Sequence, residues 1–108
     1  MMKNKVIVQF PIGKDTDLDR LFQIEATLHQ AFTQNRYAVV DGNDIGGGKF
    51  NIYINLRASS WEAVLERVEA FLKLRGAFDE AVIAKFYGRR EQYEVIWPKA
   101  FVGEFSVM

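Results

Sequence analysis

From Lys49 to Leu56 the chain alternates without a fault: Phe50, Ile52, Ile54 and Leu56 are apolar, while Asn51, Tyr53 and Asn55 carry polar tips. A period of two sends successive side chains to opposite faces, so the segment predicts a half-buried strand. After a short connection the period changes. Trp61, Val64, Leu65, Val68, Phe71 and Leu72 recur at spacings of three and four, the stripe of an amphipathic helix. A strand with one apolar face followed at once by a helix with one apolar stripe must bury the two against each other. That requirement points to a helix-on-sheet domain.

The remaining elements follow from the same reading. Val6, Val8 and Phe10 alternate with Lys5, Ile7 and Gln9, a first strand ended by Pro11 and Gly13. Asp15-Thr16-Asp17 offers cap side chains and negative charge to a helix whose stripe is Leu18, Leu21, Phe22, Leu28, Ala31 and Phe32, with Asn35 as its stop. Tyr37–Val40 and Lys49–Leu56 read as the arms of a hairpin around the Gly/Asn/Asp-rich stretch Asp41–Gly48. Its register decides whether Tyr37 faces the core, because a slip of one residue reverses every side chain. Ser59 with Glu62 matches a capping box for the second helix, Ser60 is a competing cap, and Gly76 suits the left-handed turn that closes it. Val82–Tyr87 gives a fourth strand, Gly88–Glu91 a turn, and Gln92–Trp97 a fifth strand stopped by Pro98. The tail from residue 98 onward holds Phe101, Val102, Phe105 and Val107, too apolar to leave in water.

The order strand–helix–strand–strand–helix–strand predicts an α+β domain spanning residues 1–108. The expected fold is a ferredoxin-like β-α-β-β-α-β plait: an antiparallel sheet with both helices on one face, right-handed crossovers between neighbouring parallel strands, and an extra C-terminal strand. The helices are expected to cover Val6/Val8/Phe10, Phe50/Ile52/Ile54 and Val82/Ala84/Phe86. The reverse face would then present Ile7, Gln9, Asn51, Tyr53, Asn55, Arg57, Lys85 and Tyr87 to solvent, the tail or a partner.

Composition narrows the chemistry. Among 108 residues, 14 Lys plus Arg balance 14 Asp plus Glu, so no overall field attracts nucleic acid or an anionic membrane. There is no Cys, which excludes thiolate nucleophiles and Cys-ligated metal, and the single His excludes a multi-histidine cage. No cofactor is expected. No apolar run has the length of a membrane span, and the basic start is followed by too short an apolar run for a signal core. A cytoplasmic location is the expectation.

Each constellation that could carry chemistry has a plainer reading. In Asp41–Gly48, the three glycines Gly46, Gly47 and Gly48 could expose backbone N–H groups as an anion nest. The stretch joins two strands, however, and Lys49 is followed by Phe50 where a phosphate loop has Ser or Thr. An EF-hand begins tolerably with Asp41, Asn43 and Gly46, then fails at Ile45 and Ile52, where oxygen ligands are needed. Asp41 and Asp44 could do acid–base work, but Asp in Gly-rich turns serves more often to bond nearby N–H groups. His29 has no Ser placed beside it. Gln9-Phe-Pro-Ile-Gly13 lacks the Arg and glycine spacing of an acylphosphatase loop.

Gly48-Lys-Phe-Asn-Ile-Tyr53 is partly similar to the sheet motif of RNA-recognition domains, with Phe50 pointing inward where an outward aromatic is required. On this reading Arg57, Lys85, Arg89 and Arg90 would supply the cations. Asp41-Gly-Asn-Asp-Ile-Gly-Gly-Gly-Lys-Phe-Asn-Ile-Tyr53 and Tyr93-Glu-Val-Ile-Trp-Pro98 resemble small bacterial proteins of uncharacterised activity and ferredoxin-like fold. The resemblance implies a Gly-rich hairpin and a terminal Trp-Pro strand, and no activity.

The function expected is therefore non-enzymatic protein–protein interaction, through self-association as a homodimer or regulator- or immunity-type binding. The site residues would be Asn51, Tyr53, Asn55, Arg57, Lys85 and Tyr87 on the reverse face, with Asp41, Asn43, Asp44, Gly46, Gly47 and Gly48 in the hairpin. Single-stranded nucleic acid on that face, and a small anion or minor activity at the hairpin, are the alternatives.

Overall fold

The computed structural model describes residues 3–13, 18–57 and 60–107. Along the chain these form β1 (Lys5–Pro11), α1 (Leu18–Phe32), β2 (Ala38–Gly46), β3 (Lys49–Leu56), α2 (Trp61–Leu74), β4 (Val82–Tyr87) and β5 (Gln92–Trp97). The caps expected at Asp15, Thr16, Asp17 and Ser59 lie outside the described residues. Ser60 precedes α2 as its N-cap residue without a side-chain cap bond. At the other end Gly76 takes φ +67°, and the Ala77 N–H donates to the Leu72 carbonyl at 2.8 Å, closing the helix as the sequence predicts. α1 ends differently: the Asn35 side chain accepts the Tyr37 N–H at 2.7 Å, turning the chain directly into β2.

The strands form one five-stranded sheet in the order β2-β3-β1-β4-β5, and every neighbouring pair is antiparallel. This corrects the expected ferredoxin-like plait with its crossovers between neighbouring parallel strands. No neighbours are parallel. The β2–β3 and β4–β5 hairpins pair locally, so each helical connection must step over a strand: from β1 to β2 past β3, and from β3 to β4 past β1. β5 is a full member of the layer, which places β1 at its middle. The plait is replaced by the coarser description of an α+β domain with a five-stranded antiparallel sheet.

One face of the sheet is closed by both helices. Leu21, Ile24 and Leu28 of α1 and Val64, Val68 and Leu72 of α2 share a core with Val6, Val8, Phe10, Phe50, Ile52 and Ile54. Burial of each such side chain is worth about 1.5–3 kcal/mol, which makes this layer the main source of stability. The Phe22 ring meets Phe50 edge-on at 5.2 Å.

β4 is turned over relative to expectation. Val6 lies opposite Lys85 and Val8 opposite Ile83, so Ile83 and Lys85 face the helices while Val82, Ala84 and Phe86 face outward. Both alternations of this strand are largely apolar, and the period alone does not choose between them. Lys85 is half-buried on that side, with its ammonium 5.1 Å from the Trp61 indole centroid. Tyr87 follows it to that side, 5.3 Å from Trp61.

The Gly-rich hairpin is also corrected. β2 runs through to Gly46, so most of the expected loop is strand, and the turn is Gly47-Gly48 alone at φ +58° and +74°. Two positive-φ residues are what a tight two-residue turn between twisted strands requires. The Gly48 carbonyl accepts the Ile12 N–H at 2.7 Å, which ties the turn to the end of β1. An irregularity between Val40 and Gly42 leaves Asp41 as a bulge in β2.

Candidate functional site on the outer sheet face

The face opposite the helices is built from the alternate residues of β1 and β3. Gln9 lies opposite Asn51, Ile7 opposite Tyr53 and Lys5 opposite Asn55. Asn51 is fully buried and Gln9 is 7% exposed, unusual for amides on a sheet surface. Their burial is possible because their polar atoms are paired. The Gln9 Nε2 donates to Asn51 Oδ1 at 2.9 Å and to the Ser106 carbonyl at 2.8 Å. The Asn51 Nδ2 donates to Asp44 Oδ1 at 2.9 Å and to the Val107 carbonyl at 2.8 Å. The Tyr53 hydroxyl donates to Asp44 Oδ2 at 2.9 Å, and Lys49 Nζ donates to the Ser106 carbonyl at 3.0 Å.

The tail is what seals this network. It leaves β5, stacks Phe105 on Tyr93 at 5.3 Å, and delivers the Ser106 and Val107 carbonyls over β1 and β3. The reverse face is therefore only partly open. Beside the tail lies a cleft of about 360 Å³ lined by Lys5, Ile7, Asp41, Asp44, Tyr53, Phe86 and Tyr93. Ile7 is buried at 1% exposure, and Tyr93 is 42% exposed. Lys5 Nζ stands 5.4 Å from the Tyr53 ring centroid. Burial, then the hydrogen bond to Asp44 and the charge of that carboxylate, push the Tyr53 phenol well above its ordinary range. It stays a neutral donor at physiological pH, unsuited to act as a base.

The predicted residues divide accordingly. Tyr53, Asp41 and Asp44 come together at the cleft. Asn51 lies on the same face but is consumed by the network. Asn55 is half-buried, its Oδ1 enclosed without a hydrogen-bond donor among the described residues. Arg57 lies at the end of the sheet, its N–H donated to the Tyr37 carbonyl at 2.7 Å. Lys85 and Tyr87, expected here, belong to the helix side because of the register of β4. Asn43 also turns that way and donates to Glu25 of α1 at 2.7 Å. Gly46, Gly47 and Gly48 serve the hairpin end.

Phe86, Tyr93 and Lys5 line the cleft without being singled out by the sequence for this face, whereas Gln9 is expected there. Tyr93 pairs with Phe86, and their rings are 5.0 Å apart. The signal for Phe86 was the second alternation in β4, which becomes legible once Lys85 is allowed to face α2. Among the described residues no three His, Asp or Glu side chains gather to hold a metal ion, and no helix is long and apolar enough to cross a membrane. No family model matches the chain, and no curated protein or solved structure matches it either.

Proposed function

We propose that the chain is a non-enzymatic protein-interaction module of the cytoplasm that pairs with a second copy of itself through the outer-face cleft. The observation that carries this reading is the make-up of the cleft. Tyr53 and Tyr93 give apolar area with polar tips over a buried floor of Ile7 and Phe86, a composition suited to protein interfaces. The rim carries both signs, Lys5 against Asp41 and Asp44. A two-fold axis makes the same patch meet itself, so a surface holding a cation and a carboxylate can oppose each to the other's mate.

The alternatives draw less support. Nucleic-acid stacking on this face needed Lys85 and Tyr87, which lie on the other side of the sheet. The anion reading needed an open loop where β2 continues as strand.

The test is solution mass by light scattering over a concentration series. A dimer is expected for the wild type, a monomer for Tyr53→Ala/Tyr93→Ala and for Lys5→Glu, and a dimer again for the swap Lys5→Asp/Asp41→Lys. A wild type that stays monomeric at every concentration, or a dimer indifferent to these changes, overturns the reading.

A further inference from the structure

The chain is neutral overall, yet its charges are not evenly placed. β1 begins where β3 and β4 end, and Asn4 joins the three. Its carbonyl accepts the Leu56 N–H at 2.9 Å, and its side-chain oxygen accepts the Gly88 N–H at 3.0 Å. Lys3, Arg57, Arg89 and Arg90 are thereby brought to one end of the sheet, across strands spaced about 4.8 Å apart. Lys85 reaches the same end from the helix side.

Acids lie here too, Glu62 in the first turn of α2, Glu91 between β4 and β5 and Glu94 in β5, and the Glu94 carboxylate already accepts the Tyr87 hydroxyl at 2.6 Å. The ion pairs among the described residues, Arg20 with Glu80 and Lys73 with Glu69, lie elsewhere. Two of the gathered cations are held on rings. The Arg90 guanidinium is 4.5 Å from the Tyr87 centroid, and Lys85 Nζ is 5.1 Å from Trp61 and 6.0 Å from Tyr87. A cation seated on an aromatic ring has lost rotamer freedom before a ligand arrives, so less is lost when it binds an anion.

We propose that this end of the sheet is a docking surface for an acidic polypeptide segment, a site separate from the self-association cleft. Charge complementarity selects an anionic partner. The rings decide its class. Single-stranded nucleic acid binds by stacking bases on free aromatic faces, and here Trp61 and Tyr87 lie against each other and under Lys85 and Arg90. What is offered outward is guanidinium and ammonium, which match carboxylates.

The test is fluorescence anisotropy with a labelled poly-glutamate peptide and, separately, a labelled oligo-dT of equal charge. It is run on the Tyr53→Ala/Tyr93→Ala variant as well as the wild type, so that failure of self-association and failure of this proposal are read apart. Poly-glutamate is expected to bind at low salt and to release as salt rises. Arg89→Glu/Arg90→Glu, exposed turn changes checked by circular dichroism, should weaken it at least about tenfold. Lys99→Glu, beyond the far end of β5, should leave it unchanged. Absence of peptide binding, equal weakening by Lys99→Glu, or tighter binding of oligo-dT than of peptide overturns the proposal.

Discussion

The two faces of the sheet are closed by opposite means. The helix face is sealed by apolar side chains from two helices, and nearly every one of its β3 residues is fully buried. The outer face is sealed in part by a tail held through hydrogen bonds to Gln9, Lys49 and Asn51. Apolar closure is non-directional and tolerant of detail. Polar closure depends on each partner being present, because a buried amide left unpaired costs more than the bond itself contributes. The difference teaches where the molecule is robust and where it can be opened.

The largest loss is expected on the helix face. Phe50→Ala leaves a cavity under both Phe22 and the core and should cost about 3–5 kcal/mol, measured by chemical denaturation. Next, Asn51→Leu keeps the volume but strips the partners of Gln9, Asp44 and the Val107 carbonyl. A loss of about 2 kcal/mol is expected, and combining it with Gln9→Leu should cost less than the sum of the single changes. Deleting the chain after Gly103 should cost only about 1 kcal/mol, since Gln9 and Asn51 then meet water instead of being orphaned. Hydrogen exchange should quicken on the outer-face side while the helix-face core stays protected.

The smallest effect is expected at Tyr53. Its pKa is raised in the folded state, so the stability it contributes is complete below about pH 10 and fades as pH climbs toward the folded value. Tyr53→Phe should therefore lower stability near neutrality by about 0.5–1 kcal/mol through loss of the Asp44 hydrogen bond, with the gap to the wild type closing in the alkaline limb of the thermal midpoint. A variant as alkali-sensitive as the wild type would show that another group controls that limb.

The helix face was legible because its signals agree: the stripe of α2, the clean alternation of β3 and the glycine after α2 all specify one arrangement. β4 was not, because Val82/Ala84/Phe86 and Ile83/Lys85/Tyr87 both pass as buried sets, and the choice is made by Trp61 offering a ring to Lys85. The strand between Asp41 and Gly46 was hidden by its own composition. Gly, Asn and Asp disfavour strands locally, and pairing with β3 overrides them. Alternation placed Gln9 and Asn51 on the outer face, but their pairing with each other and with the Ser106 and Val107 carbonyls arises only through tertiary structure. Tyr53 was expected on the outer face and Asp41 and Asp44 in the hairpin loop, and strand pairing brings the three to one cleft, while Phe86 and Tyr93 depended on a register that periodicity does not fix.

The bulge at Asp41 has a bearing on how the molecule meets others. β2 is a margin of the sheet, and a smooth margin is an open invitation for a foreign strand to join and for growth to continue from there. The extra residue breaks the ladder near its middle and kinks the row of unclaimed amides. Addition of a foreign strand along that rim is thereby discouraged.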